Sequence, residues 1–128
     1  MTILLMCLLI AVLLPYLAKL PLGYAMNKKG GYDNNHPREQ QAKLDGFGAR
    51  ALAAHQNSFE ALLVFSVAVF SVLVSNHVFW LTQFLALSFI ISRFFYHAFY
   101  LLNWATLRSL VWFWGYICCL SMLFLCIL

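Results

Sequence analysis

ALLVFSVAVFSVLVSNHVFWLTQFLALSFIISRFFYHAFYLL, residues 61–102, contains a single charged side chain, Arg93. As one helix, at about 1.5 Å per residue, it would be about 63 Å long, twice the ~30 Å hydrocarbon thickness of a bilayer. The stretch must fold back on itself, and its most polar triplet, Ser75-Asn76-His77, stands where a turn is needed. Two spans follow, at about 51–75 and 78–102.

Working outward, residues 2–22 form an apolar run interrupted only by Lys19, long enough for a first span, with a kink expected at Pro15. No basic residue precedes that run and no clear small-x-small cleavage site follows it, which favours a retained helix over a signal peptide. Residues 23–48 change character completely, with Gly30-Gly31, Asn34-Asn35, Pro37 and most of the charges, and read as a water-exposed loop. Residues 108–128 supply a fourth span after a short turn around Asn103. The expected fold is all-α, an integral membrane four-helix bundle forming one domain over residues 1–128.

Composition agrees. Hydrophobic residues make up 64% of the chain and charged ones 9%, against about a quarter charged in soluble domains. The net charge of +4 is too small and too localised for nucleic-acid binding. Cys7, Cys118, Cys119 and Cys126 all fall in apolar segments without CxxC or Cys/His spacing, so they read as small buried hydrophobes and no metal site is expected. Every Lys and Arg except Arg93 lies at one end of the spans, whereas the N-terminus, the Ser75-Asn76-His77 turn and the C-terminus carry no charged side chain. By the positive-inside rule that basic end is cytoplasmic and both termini face outward.

Glu60 and Arg93 are the only charges deep within the spans. Counting inward from Arg50 and from Asn103 puts both roughly 15 Å from the same face. An ionisable group at that depth faces protein or a watery cavity and marks a functional site by default, so each is expected to be the other's partner. Helical spacing sets Arg50, Asn57 and Glu60 on one stripe, and Arg93, Tyr96 and Tyr100 on a matching one. A purely structural ion pair would account for two of these groups, but the polar side chains supplied exceed what one pair needs. His55 points elsewhere and reads as an interface hydrogen-bonder. Tyr16, Trp80, Trp104, Trp112 and Trp114 read as interfacial or lipid-facing aromatics. A di-metal carboxylate site needs several Glu and the spans hold one.

The run Arg50-Ala51-Leu52-Ala53-Ala54-His55-Gln56-Asn57-Ser58-Phe59-Glu60 resembles the second-helix signature of the MAPEG family, the membrane-associated proteins in eicosanoid and glutathione metabolism. Arg93 with Tyr100 resembles the third-helix pattern. Thr106-Leu107-Arg108-Ser109-Leu110-Val111-Trp112, Tyr32-Asp33-Asn34 and His36-Pro37-Arg38 look like bacterial members. The resemblance implies a homotrimer, in a bacterial inner membrane, binding glutathione between subunits as co-substrate. Asn57, Glu60, Arg93, Tyr100, Arg108 and Ser109 match family positions at that site, and Arg50 matches a basic position at its mouth. The implied activity is a glutathione-dependent transferase or peroxidase acting on apolar electrophiles or lipid hydroperoxides. Arg108, helped by Ser109, would stabilise the thiolate, while Arg50, Asn57, Glu60, Arg93, Tyr96 and Tyr100 hold the peptide. Ala53, Gln56 and Trp112 stand where glutathione-using members often carry arginines or a tyrosine. Two alternatives stay open: a non-catalytic lipid-binding protein, and a small proton-coupled exporter with Glu60 as proton carrier.

Overall fold

The computed structural model describes residues 1–128 as five helices: α1 (Thr2–Lys28), α2 (Pro37–Ala42), α3 (Gly46–Val74), α4 (Trp80–Leu101) and α5 (Ala105–Leu125). All but α2 are long and apolar enough to cross a membrane. At most a third of each helix's most apolar window is buried within the chain. The remainder would be an aggregation surface in water and is solvated by acyl chains in a bilayer.

Neighbouring helices run up and down. Leu4 and Cys7 of α1, Val72 of α3 and Met122 of α5 belong to one buried cluster, which gathers the N-terminus, the 75–79 turn and the C-terminus at one end. At the opposite end Leu22 and Met26 of α1 meet Ala51 of α3, with Leu44 and Leu101 against them. Phe65 and Phe89 stack face to face at 4.1 Å in the middle, tying α3 to α4.

Small residues let the backbones approach. Ala11, Ala18 and Ala25 of α1 and Ala51, Ala54 and Ser58 of α3 are all buried. On α5, a Cβ placed on Gly115 would stand 2.8 Å from Ser92 Oγ of α4, so only glycine permits this approach.

Both hairpin turns are built on asparagine. Asn76 (φ 59°) and Asn103 (φ 61°) occupy the left-handed region, which asparagine tolerates better than most side chains. Each closes its helix with the paired bonds of a Schellman motif. His77 N–H donates to Val72 C=O (3.0 Å) and Asn76 N–H to Leu73 C=O (3.3 Å), while Trp104 N–H donates to Phe99 C=O (2.9 Å) and Asn103 N–H to Tyr100 C=O (3.1 Å).

The loop expected over 23–48 is shorter than its composition implies. α1 continues to Lys28 because Ala25 and Met26 find apolar partners and are buried, which outweighs the cost of Gly23. Inside the loop Pro37 opens the short α2 at its first turn. Gln40 clamps it: Nε2 donates to the Met26 and Gly31 carbonyls (3.1 and 2.7 Å), and Oε1 accepts from Asp33 N–H (2.9 Å).

Candidate functional site

Glu60 and Arg93 do line one cavity, but they are not direct partners. Asn57 stands between them. Its Nδ2 donates to Glu60 Oε2 (2.9 Å) and its Oδ1 accepts from Arg93 Nη2 (2.7 Å). A neutral amide can serve both because it carries donor and acceptor on one planar group. The expectation of a direct ion pair fails for a geometric reason: Asn57 is one turn before Glu60 on the same stripe and meets the guanidinium first.

Arg93 is 3% exposed, and its Nη2 is anchored on Asn57. From there a line of side chains climbs α4 toward the basic end. The Arg93 guanidinium lies 4.1 Å over the Tyr96 ring, Tyr96 meets Tyr100 edge to face at 5.5 Å, and Arg108 of α5 lies 4.5 Å over Tyr100. Such stacking holds guanidiniums in place without neutralising them.

Two concavities flank this line. The deeper one, about 100 Å³, is lined by Asn57, Glu60 and Arg93 on its polar side and by Ala61, Val64, Phe89, Gly115 and Cys119 on its apolar side. The shallower, about 390 Å³, is lined by Tyr96, Tyr100, Arg108, Ser109 and Phe113. Trp112 borders both. The deeper cavity alone falls below the ~300–1,000 Å³ usual for small-molecule sites, so a tripeptide would have to extend into the groove.

Arg50 lies outside both concavities. Its Nη2 donates to the Leu101 carbonyl (3.4 Å) in the last turn of α4, where unpaired carbonyls and the helix dipole attract a cation. Shared helical spacing with Asn57 does not bring it to the site. His55, expected to point elsewhere, donates through Nδ1 to the Pro15 carbonyl (2.8 Å) and so joins α3 to α1. Beside it Ser58 Oγ lies 2.9 Å from both the Ala54 carbonyl and His97 Nε2, joining α3 to α4.

Two tryptophans read as interfacial or lipid-facing are exposed, at 39% and 48%, and also make contacts within the chain. Trp112 forms a wall of the cavity, stacked on Tyr116 at 5.6 Å, and Trp114 Nε1–H donates to Ser88 Oγ (2.7 Å) across the α4–α5 contact. Tyr116 also lines the cavity and was missed from the sequence, together with Gly115 and Cys119. The signal was present: Arg108, Trp112, Tyr116 and Cys119 recur every three or four residues and share one face of α5.

A family model described as the MAPEG family matches residues 3–128. The chain belongs to the MAPEG family. Comparison with curated proteins and with solved structures gives no match. MAPEG membership and the four apolar helices make it an integral membrane protein of all-α fold. Membership also supports a glutathione-related function of transferase or peroxidase type in general terms.

Proposed function

We propose that the protein is a membrane-bound glutathione-dependent transferase or peroxidase whose thiol peptide lies along the line from Glu60 to Arg108. The observation that carries this reading is the buried Arg93, held by Asn57 and Tyr96 with most of its donors uncommitted. Glutathione carries two carboxylates, an ammonium and a thiol. Arg93 complements a carboxylate and Glu60 the ammonium, while Asn57, Tyr96 and Tyr100 supply orientation. Arg108 and Ser109 line the same groove, and a cation beside a thiol favours the thiolate. Each pKa unit of lowering needs about 1.4 kcal/mol of differential stabilisation, within reach of one guanidinium in a poorly solvated groove.

The reaction is then thiolate attack on an apolar electrophile delivered through the bilayer, with expulsion of the leaving group. With a hydroperoxide, two glutathiones reduce ROOH to ROH and water and leave as the disulfide. We further propose that the basic end is cytoplasmic in a bacterial inner membrane, and that three copies assemble with the peptide between them. Arg50 is not part of this reading of the site.

Calorimetric titration of detergent-solubilised protein with glutathione tests the proposal. Binding is expected in the wild type and is expected to weaken at least roughly tenfold, about 1.4 kcal/mol, in both Arg93→Ala and Asn57→Ala. Wild-type protein that binds no glutathione would reject the reading. Arg108→Ala should keep binding but lose the ultraviolet absorbance of bound thiolate, and unchanged absorbance would remove Arg108 from its role.

A further inference from the structure

A third cavity, of about 340 Å³, lies at the basic end between α1, α2 and α3 and shares no lining residue with the two described above. Lys19 enters it from α1, Arg38 and Gln41 from α2, and His55 and Gln56 from α3. No carboxylate lines it. The ion pairs within the chain, Lys29–Asp45 and His36–Asp33, leave both of its cations free. The side-chain hydrogen bonds made beside it run from Gln40 and His55 to backbone carbonyls, and the side chains of Lys19, Arg38, Gln41 and Gln56 make none. Two unpaired cations and two uncommitted carboxamides from three separate helices thus converge on one space. The Gln40 clamp on the Met26 and Gly31 carbonyls fastens α2 to the end of α1, and so keeps the exposed Arg38 on the same cavity wall as Lys19.

The remaining lining is apolar and leads toward lipid. Leu52 and Phe59 border the cavity, and Phe59 meets Tyr16 edge to face at 6.1 Å. Tyr16 and Phe59 are 63% and 44% exposed, so the polar chamber adjoins an outward aromatic face along the spans. An occupant must therefore combine a multiply accepting anion with an apolar body, and must be available where spans meet the aqueous layer. Basic pockets between helices at that depth attract phosphate headgroups, each cation there strengthening the attraction severalfold.

We propose that this cavity binds the phosphate headgroup of an anionic phospholipid, with Lys19 and Arg38 pairing its oxygens, Gln41 and Gln56 donating hydrogen bonds, and the acyl chains lying along Phe59 and Tyr16. The proposal is independent of the glutathione reading. Its test uses the full chain in neutral detergent, titrated separately with short-chain phosphatidylglycerol, short-chain phosphatidylcholine and inorganic phosphate. Phosphatidylglycerol is expected to bind at least roughly tenfold more tightly than either of the others, and the Lys19→Gln, Arg38→Gln double variant should lose roughly fivefold per cation. The charge-preserving pair Lys19→Arg, Arg38→Lys should retain binding, which separates lost charge from lost fold. Phosphatidylcholine or inorganic phosphate binding as tightly as phosphatidylglycerol, or a double variant that binds like wild type, overturns the assignment. So does displacement of the lipid by glutathione, which would make the cavity part of the thiol-peptide site.

Discussion

Asn57 is the residue on which the site turns. It bonds a buried guanidinium at 2.7 Å, whereas Glu60, exposed in the single chain, has only the Asn57 amide. Removing the amide strips Arg93 of that partner in a place water reaches poorly, a loss of about 1–3 kcal/mol or more for a charged group. Asn57→Ala should therefore lower the thermal midpoint in detergent by several degrees, while Glu60→Gln leaves it nearly unchanged, since a glutamine oxygen still accepts from Asn57. Equal losses in the two variants would contradict the relay. In the aqueous loop, the hydrogen bond and charge of Lys29, 3.1 Å away, hold the Asp45 carboxyl below its ordinary value. A depressed carboxyl contributes stability above its unfolded value of about 3.9 and loses it as pH falls through the folded one. Both side chains are exposed, so the effect is small. Titration of the Asp45 carboxyl by NMR should show the depression, and Lys29→Ala should abolish it.

At the scale of the helix, the two turns depend on a backbone conformation that glycine adopts freely and most residues do not. Asn103→Gly should be tolerated, whereas Asn103→Ala should cost about 1 kcal/mol and lower the thermal midpoint, because a side chain with no local hydrogen-bonding capacity gains nothing in the left-handed region. The α4–α5 contact makes a sharper demand. Ser92 is buried and its hydroxyl is anchored on the Phe89 carbonyl at 2.7 Å, so it yields poorly to a methyl group at position 115. Gly115→Ala should destabilise by about 1–3 kcal/mol, and Ser92→Ala in the same chain should recover part of that loss. Purely additive unfolding data would show that the two residues do not meet.

For the molecule as a whole, the proposed sidedness rests on the distribution of charge. All Lys and Arg except Arg93 lie at the end formed by the 29–45 loop and the turn at Asn103, and the other end has no charged side chain. With the basic end in the cytoplasm, a membrane-impermeant maleimide should label Leu128→Cys in intact cells and reach Glu39→Cys only after permeabilisation. Of the native cysteines, Cys7, Cys118 and Cys119 are buried among the helices, and the partly buried Cys126 is replaced by serine in both labelling variants. The reverse labelling pattern would invert the protein and put the site at the outer face.

Length and hydropathy alone were enough to establish the number of long apolar helices, the turn at Ser75-Asn76-His77 and the basic end, since each depends on local composition and on how far a helix reaches. That Glu60 and Arg93 come to one level, lining the same cavity, was equally legible, because rise per residue is nearly constant. Which way each side chain turns was not. These helices are apolar on almost every side, so periodicity barely constrains their rotation about their own axes, and only the close approaches at Gly115 and along the alanines of α1 and α3 set it. Tertiary contact therefore decided that Asn57 mediates between the two charges and that Arg50 leaves its stripe for the end of α4. It also decided that Trp112 and Tyr116 wall the cavity, and that α2 brings Arg38 to the same cavity as Lys19.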